Sequence, residues 1–483
     1  MNTNIYAITD SHQESRNLGL LLSGIYKFEK DNSSPFLILD AGDLFKGIYD
    51  KNLSVNAYIK LKQLLPNAQI FITVGNNDFG FSKPDFEFLK QTILKFEQAG
   101  INVVCSNILD IETEQNATWV NQYKIIEING QRILITGFCL NNSCAKKFGY
   151  CMLSPQDGLT KLLAKIKEPY DKLIILNHHW LTESEKLYTF AQSQDIKIDL
   201  IIGGHEHSPM PPDFQNNIYY PLSFARGMYK IDFGKKVGKV EEIKVENLSF
   251  ISEIEKPILE YENETNLTKV LSKRFLNLPK KYSEACPLGT FISDKMKEAG
   301  NTDIAFHSTG FTMYSLRTCD SKTITKYDLM KVICAASTIE KIEITTEQLL
   351  KVFENAGSLR MYKDRGNARF LQCSQNVKIL GKGNIQDKTY KIIQIEINSE
   401  KLLNEKSEPI DKNRIFTCTI DPYIGSGEQN FEVLKNIPKT KVTDKKNNPI
   451  KINDLFYNSV ICENQNCKLN RPLDYPSFVW ADI

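Results

Sequence analysis

The sequence has no apolar run approaching the ~18 residues of a membrane span, and its start, Met1-Asn2-Thr3-Asn4-Ile5-Tyr6, has neither a basic region nor a signal-peptide apolar segment. It enters what reads as a strand almost at once, which predicts a cytoplasmic protein without a membrane partner. An excess of charge of one sign is also missing. Lys+Arg number 60 against 58 Asp+Glu, a net +2, so the single-sign field that holds a phosphate backbone is absent and nucleic acid is disfavoured as the main partner. No two cysteines stand at CxxC spacing. The 11 are odd in number and scattered from Cys105 to Cys467, the pattern of free thiols in a reducing compartment. Cys139 with Cys144, and Cys462 with Cys467, each offer at most half a zinc site, since neither has a second Cys/His pair at the usual spacing.

What is present is the length for two or three domains, 483 residues, and 41% apolar composition. Short apolar runs recur through the first half, at Asn4–Thr9, Phe36–Leu39, Ile70–Val74, Ile101–Cys105, Ile133–Gly137, Leu173–Leu176 and Leu200–Ile202. Helix-period segments such as Leu18–Phe28, Asp85–Ala99 and Pro155–Ile166 lie between several of them, which predicts an α/β domain. Residues 235–255 are charge-rich without a sustained apolar period, and Pro257 precedes a helical pattern reaching Leu276. The expected division is therefore a first domain over 1–250, a linker helix over 251–279, a second α/β or α+β domain over 280–440, and a surface extension over 441–483.

Histidine is scarce, with 6 residues, yet five of them, His12, His178, His179, His205 and His207, stand just after apolar runs. Asp10, Asp40, Asp43, Asn76 and Asp78 also follow such runs. In an open α/β sheet the carboxyl ends of strands converge on one edge, where ligands bind. Positions two apart on an extended segment point the same way, so Asp10 with His12, and His205 with His207, can each reach one ion. Carboxylate, imidazole and amide oxygen together suit a hard to borderline divalent cation, Mn, Fe, Zn or Co. Each histidine alone reads best as a core or surface residue; five at strand ends, with acids beside them, read as a metal site.

In order, Asp10-Ser11-His12, Asp40-Ala41-Gly42-Asp43-Leu44-Phe45-Lys46-Gly47, Gly75-Asn76-Asn77-Asp78, Asn177-His178 and Gly203-Gly204-His205-Glu206-His207 resemble the five blocks of calcineurin-like metallophosphoesterases, and the second and fifth are similar to those of the two-domain 5′-nucleotidases. The resemblance implies an N-terminal αββα sandwich with a C-terminal 5′-nucleotidase-like α/β (α+β) domain. It implies two divalent ions, one taking Asp10, His12, Asp43 and His207, the other taking Asn76, His178 and His205, with Asp43 shared. His178 is preferred over His179 because the family histidine follows a serine- or threonine-like position, here Asn177. Two such ions generate the nucleophile and clamp the oxygens of an in-line displacement, so the implied substrate is a small-molecule phosphoester, a nucleotide or close relative.

The chain departs from the family where a His is followed three residues later by Asp; these places hold Asn77 and Gly80. Asn77 keeps the catalytic position beside Asp43 but cannot deliver a proton, a contribution typically of about 10²–10⁴-fold. Either the substrates are diesters or others with good leaving groups, or the domain keeps its metals with weak turnover, as a nucleotide-binding protein. A pure scaffold is disfavoured, because every metal-ligand position survives.

The second half resembles the family less closely. Cys286–Asp294 is similar to the segment opening the C-terminal domain, and Thr323–Leu329 to its Ile-Thr-x-x-Asp-Leu stretch. Ala368-Arg369-Phe370-Leu371-Gln372 resembles the loop whose Phe stacks on the nucleobase, which makes Phe370 a candidate platform and Phe431 its candidate partner, with a core role for Phe431 equally open. Arg369, with Arg360 and Arg365, is a candidate anion contact. His307-Ser308-Thr309-Gly310-Phe311-Thr312 stands where the family has Asn-x-Gly-Gly-Ile-Arg, and Cys334-Ala335 where it has Pro-Phe. His307, the sole histidine outside the metal blocks, is a candidate substrate contact, or a loop histidine that caps the local backbone.

Overall fold

The computed structural model describes residues 2–80, 82–141, 143–207, 209–273, 277–280, 284–312, 314–317, 323–333, 337–358, 370–384 and 389–461. The chain divides into two compact units, 1–265 and 266–483.

In the first unit, β1 (Thr3–Ile8), β2 (Phe36–Asp40), β3 (Ala68–Ile72) and β4 (Asn102–Val103) run parallel, and the hairpin of β12 (Gly227–Phe233) and β13 (Val237–Lys244) extends this sheet antiparallel to β1. A second sheet takes β6 (Tyr123–Ile128), β7 (Gln131–Cys139), β9 (Lys172–His178), β10 (Leu200–Gly204) and β11 (Ile218–Tyr219), parallel except for β6. A small ribbon pairs β5 (Ile108–Asp110) with β8 (Tyr150–Met152). Strands such as β2 and β9 read as unbroken apolar runs because both of their faces are buried. Alternate residues supply the two layers. Ile5, Leu37, Leu39, Ile135, Ile174, Leu176 and Ile202 meet in a core between the sheets, while Leu134, Leu173, Ile175 and Ile201 turn the other way onto Leu159 of α5 (Pro155–Leu163) and Leu187 of α6 (Leu181–Ser193). The crossover helices α1 (Ser15–Glu29), α2 (Lys51–Leu64) and α3 (Lys83–Gln98) cover the first sheet with buried stripes that include Leu18, Leu21, Tyr58, Leu61, Leu89 and Ile93. The result is the expected αββα sandwich. No helix among the described residues is long and apolar enough to cross a membrane.

Two segments differ from the sequence reading. The early part of the charge-rich stretch 235–255 is the edge strand β13, whose Lys and Glu side chains face solvent along an unpaired edge, where charge discourages pairing with other chains. The segment read as a linker helix over 251–279 is helical only as far as Glu264, with strands at Val270–Lys273 and Asn277–Leu278, and its helical part is docked. Its helix α7 (Ser252–Glu264; α4 is Ser143–Lys147) begins before Pro257 and buries Ile254, Ile258 and Glu262 in the first unit. The Glu262 carboxylate accepts from Arg16 Nη1 at 2.8 and 3.0 Å and from Tyr49 Oη at 2.7 Å. Replacing Glu262 with Ala removes the buried acceptor shared by Tyr49 and Arg16 and is expected to cost about 1–3 kcal/mol, read as a lower urea midpoint; an unchanged midpoint would show that the network contributes nothing.

The second unit carries a five-stranded sheet in the order 371–373, 304–308, 415–420, 340–345, 440–441, with a three-stranded antiparallel sheet of 377–384, 389–397 and 400–401. Of the expected surface extension over 441–483, the part up to Ile461 is built into it, and 462–483 lie outside the described residues. Thr440 and Lys441 pair with Lys341 and Glu340, and a helix over Ile452–Ile461 buries Ile452, Phe456 and Val460 beside the helix Pro287–Gly300, where the Phe291 and Phe456 rings lie 6.1 Å apart. The spacing i, i+4, i+8 is one helical stripe, short enough to be hidden among Lys and Asn in sequence.

Candidate metal centre

The sandwich brings five loops from strand ends together. The loop after β1 is joined to the loop after β2 by backbone bonds from Asp10 N to Gly42 O, 2.9 Å, and from His12 N to Asp43 O, 3.0 Å. Asp10, His12, Asp43 and His205 all have φ between 46° and 75°. This left-handed region costs a side-chain-bearing residue of order 1–3 kcal/mol, and the surrounding bonds hold it there. Gly75 must be glycine, because a Cβ there would lie 2.1 Å from Asp43 Oδ1.

Two groups of ligand atoms result. One comprises Asp10, His12, Asp43 and His207, the other Asp43, His178 and His205, each within 4.8 Å. Asp43 belongs to both. His12 Nε2 is 3.0 Å from His207 Nε2 and 3.6 Å from Asp43 Oδ2, and His207 Nε2 is 3.3 Å from Asp10 Oδ1. On the other side His178 Nε2 is 3.3 Å from Asp43 Oδ2 and 3.2 Å from Asn76 Oδ1.

The outer bonds decide what fits between these atoms. His178 Nδ1 lies 2.7 Å from Ala41 O and His12 Nδ1 lies 3.1 Å from Phe45 O. A carbonyl only accepts, so Nδ1 carries the hydrogen and the neutral ring turns a bare Nε2 inward. In His178 that lone pair faces two oxygens, an arrangement that needs a cation. Both ring nitrogens of His205 are buried without a hydrogen-bond partner among the described residues. The donor set thus fits divalent metal ions.

The protein's own charges point the same way. Burial lowers His178, yet Asp43 and then Asp10 outweigh it and push the ring up to about 10, a proton doing there what a metal would do. Burial would raise Asp43, but His178 and His12, with the Asn77 hydrogen bond, hold it well below the usual carboxylate range. His12 is held down to about 4, by burial first and then by His207 and Lys46 against the pull of the two carboxylates.

Several supporting residues escaped the sequence reading of roles. Asp78 accepts from the backbone N–H groups of Asp43, Phe45 and Gly75 at 2.8–3.1 Å and so fixes the Asp43 loop; burial and Asp43 push it up to about 7. Asp40 does the same work behind it, accepting from Gly42 N and Tyr58 Oη. Phe224 walls the first group, its ring 5.3 Å from that of His12 and 4.9 Å from that of His207, and Trp180 packs 4.1 Å from the His205 ring. Only Asp40 and Asp78 had a signal in sequence, their place after apolar runs.

Asn77 sits against the shared carboxylate: its backbone N donates to Asp43 Oδ1 at 2.8 Å and its amide Nδ2 to Oδ2 at 2.5 Å. Gly80 has φ +65°, and a Cβ there would fall 2.1 Å from Asp85 Cβ, so the family's Asp has no room. His179 lies in neither ligand group and is buried, with its ring held down to about 3 by burial and by His178.

In the second unit the candidate substrate residues are packed inside. Phe370 and Phe431 are each 1% exposed and belong to one apolar cluster with Phe353, Ile420 and Leu434, a core position and not the open platform that stacking on a base needs. His307 is fully buried, its Nδ1 2.8 Å from Ser308 O and its Nε2 3.3 Å from Gly289 O, the backbone-capping arrangement and not a substrate-facing one. Arg369, with Arg360, Arg365, Cys334 and Ala335, lies outside the described residues.

Residues 3–209 match the model of the calcineurin-like phosphoesterases, and residues 263–436 that of the 5′-nucleotidase C-terminal domain. A 5′-nucleotidase of Diplobatis ommata is 22% identical over 457 residues, spanning 83% of this chain and 75% of that protein. An apyrase of Tabanus yao is 21% identical, spanning 89% and 84%. The crystal structure of a 5′-nucleotidase precursor from Thermus thermophilus shares the fold with a TM-score of 0.72 at 17% identity, spanning 94% of this chain and 95% of that one.

Proposed function

From a chain that belongs to the two-domain family of hydrolases joining a calcineurin-like phosphoesterase to a 5′-nucleotidase C-terminal domain, we propose a phosphoester hydrolase that depends on two divalent ions and acts on a nucleotide or nucleotide-like substrate. The observation that carries this reading is the pair of ligand groups sharing Asp43. Asp10, His12, Asp43 and His207 would hold one ion; Asp43, Asn76, His178 and His205 the other. Such ions, when bound, lower the pKa of water and neutralise phosphoryl charge. The chain's own residues set the geometry. Ala41 O and Phe45 O orient the imidazoles, Asp78 fixes the loop of the shared carboxylate, and Asn77 holds both of its oxygens. A nucleotide is supported by what the relatives are named for, nucleotidase and apyrase. A cytoplasmic location stays part of the reading, supported by the buried free thiols of Cys105, Cys139, Cys373 and Cys418.

A second reading, a metal-retaining nucleotide-binding protein with weak turnover, is favoured by one observation, an Asn at the position where a proton donor would stand. One experiment separates the two. Protein loaded with Mn, Co or Zn is assayed for metal content and for hydrolysis of monoesters, diesters and nucleotide pyrophosphates. About two ions per chain with turnover of at least one class is the expected result. Two ions without turnover supports the second reading, and at most one ion overturns both.

A further inference from the structure

Asn77 has a second partner that the metal reading does not use. Its Oδ1 accepts from Lys46 Nζ at 2.9 Å, while its Nδ2 donates to Asp43 Oδ2 at 2.5 Å. The amide can face only this way round, since an ammonium only donates and a carboxylate only accepts. One side-chain amide therefore spans from the carboxylate shared by both ligand groups to a fixed positive charge. Lys46 lies three residues after Asp43 in the same loop, is half-buried, and has φ +75°, a left-handed conformation shared with the neighbouring ligand residues. Its charge is felt within the ligand set, where it is among the causes that hold the His12 ring down. A lysine in a loop has water as its default partner. This one is turned to the end of the site where Asn77 stands in place of a proton donor.

Resting on the hydrolase reading above, we propose that Lys46 is a catalytic residue, positioned by Asn77, that contacts the departing oxygen of the phosphoester and stabilises it as an anion without giving up a proton. The step balances in those terms. The oxygen of water bonds to phosphorus, and the bond from phosphorus to the departing oxygen breaks with its electron pair on that oxygen. One proton of the water passes to solvent, and the ammonium keeps its three hydrogens. A compact point charge suits this task, since it opposes developing negative charge wherever the oxygen moves within its reach. The substrate class that follows is the ester whose leaving oxygen is already a tolerable anion, a phenolate or the phosphate of an anhydride.

The test compares wild type with Lys46→Met, which keeps the chain length and loses the charge, and with Lys46→Arg, which keeps the charge. Three quantities are read on full-length, metal-loaded protein: metal content, affinity for inorganic phosphate by calorimetry, and kcat/KM over a series of aryl phosphates of graded leaving-group pKa. Lys46→Met is expected to hold the same metal content as wild type, to bind phosphate at least about tenfold more weakly, and to lose about 10²–10³ in kcat/KM, most for the poorest leaving groups. Lys46→Arg should recover most of the phosphate affinity. Unchanged phosphate affinity and an unchanged leaving-group slope in Lys46→Met overturn the proposal, as does loss of metal, which would make Lys46 a structural residue. If instead the wild type itself holds fewer than two ions, it is the underlying hydrolase reading that has failed.

Discussion

Asp43→Asn is expected to empty both ion positions and to abolish hydrolysis, because its carboxylate belongs to both ligand groups and both of its oxygens are engaged. Outer partners of metal ligands typically alter affinity by 10–100-fold, so loss of a shared ligand should exceed about 100-fold at each position. The accompanying fall in kcat/KM should exceed about 10³, more than the loss of a single charge-stabilising hydrogen bond. Asn76→Ala provides the contrast, since Asn76 stands beside His178, on one side of the shared carboxylate, and its loss should weaken one ion and spare the other. Elemental analysis of the two variants side by side decides the matter. An Asp43→Asn protein that still carries two ions would mean that the two groups are not one centre.

The second large effect concerns the leaving group. With Asn77 in contact with Asp43, no proton donor of the family kind stands at that place, so turnover should fall steeply as leaving-group pKa rises, with aryl diesters or pyrophosphates ahead of nucleoside monophosphates. Asn77→His should raise hydrolysis of alkyl monoesters by tenfold or more within the ~10²–10⁴ range of acid catalysis, while leaving activated esters unimproved, since the same change removes the acceptor that holds Lys46. Gly80→Asp should not be added to it. The left-handed backbone and the 2.1 Å approach to Asp85 Cβ would displace the loop, whereas the Asp85 carboxylate, bound by Lys51 Nζ and Ser82 Oγ, already occupies the neighbouring space. AMP turned over as fast as an activated diester would refute the leaving-group argument.

The first unit was legible because its strands are buried on both faces. Unbroken apolar runs mark where strands end, and chemistry-bearing residues just beyond those ends converge, so Asp10, His12, Asp40, Asp43, Asn76, Asp78, His178, His179, His205 and His207 could be placed at one edge without coordinates, while the choice of ligands among them rests on the resemblance to the family. His178 and His179 both stand at the end of β9, so strand ends alone do not separate them; the resemblance to the family did. What could not be read was side-chain partnership across loops. Nothing in the order of residues says that Lys46 meets Asn77, or that Asp85 fills the space beside Gly80. The second unit was harder for another physical reason. A phenylalanine in a loop motif has the same composition whether its faces meet a base or a core, and Phe370 and Phe431 turned out to have core neighbours. The helix Ile452–Ile461 was hidden for want of length, since three apolar positions at helical spacing among Lys and Asn do not stand out from chance.

That last helix sets an order of events on the ribosome. The helix Pro287–Gly300 emerges about 150 residues ahead of the segment that packs against it, a wait of roughly 8–30 s at 5–20 residues per second. During that time the side of Phe291 and its neighbours meant for Phe456 faces solvent, while all residues of the first unit, which ends at Thr265, have been made. A nascent chain of this protein therefore passes through a stage in which the first unit is complete in sequence while the second still exposes the apolar side of its first helix. A stop codon between Leu434 and Ile452, which removes this helix, should yield aggregates, and not a shortened enzyme.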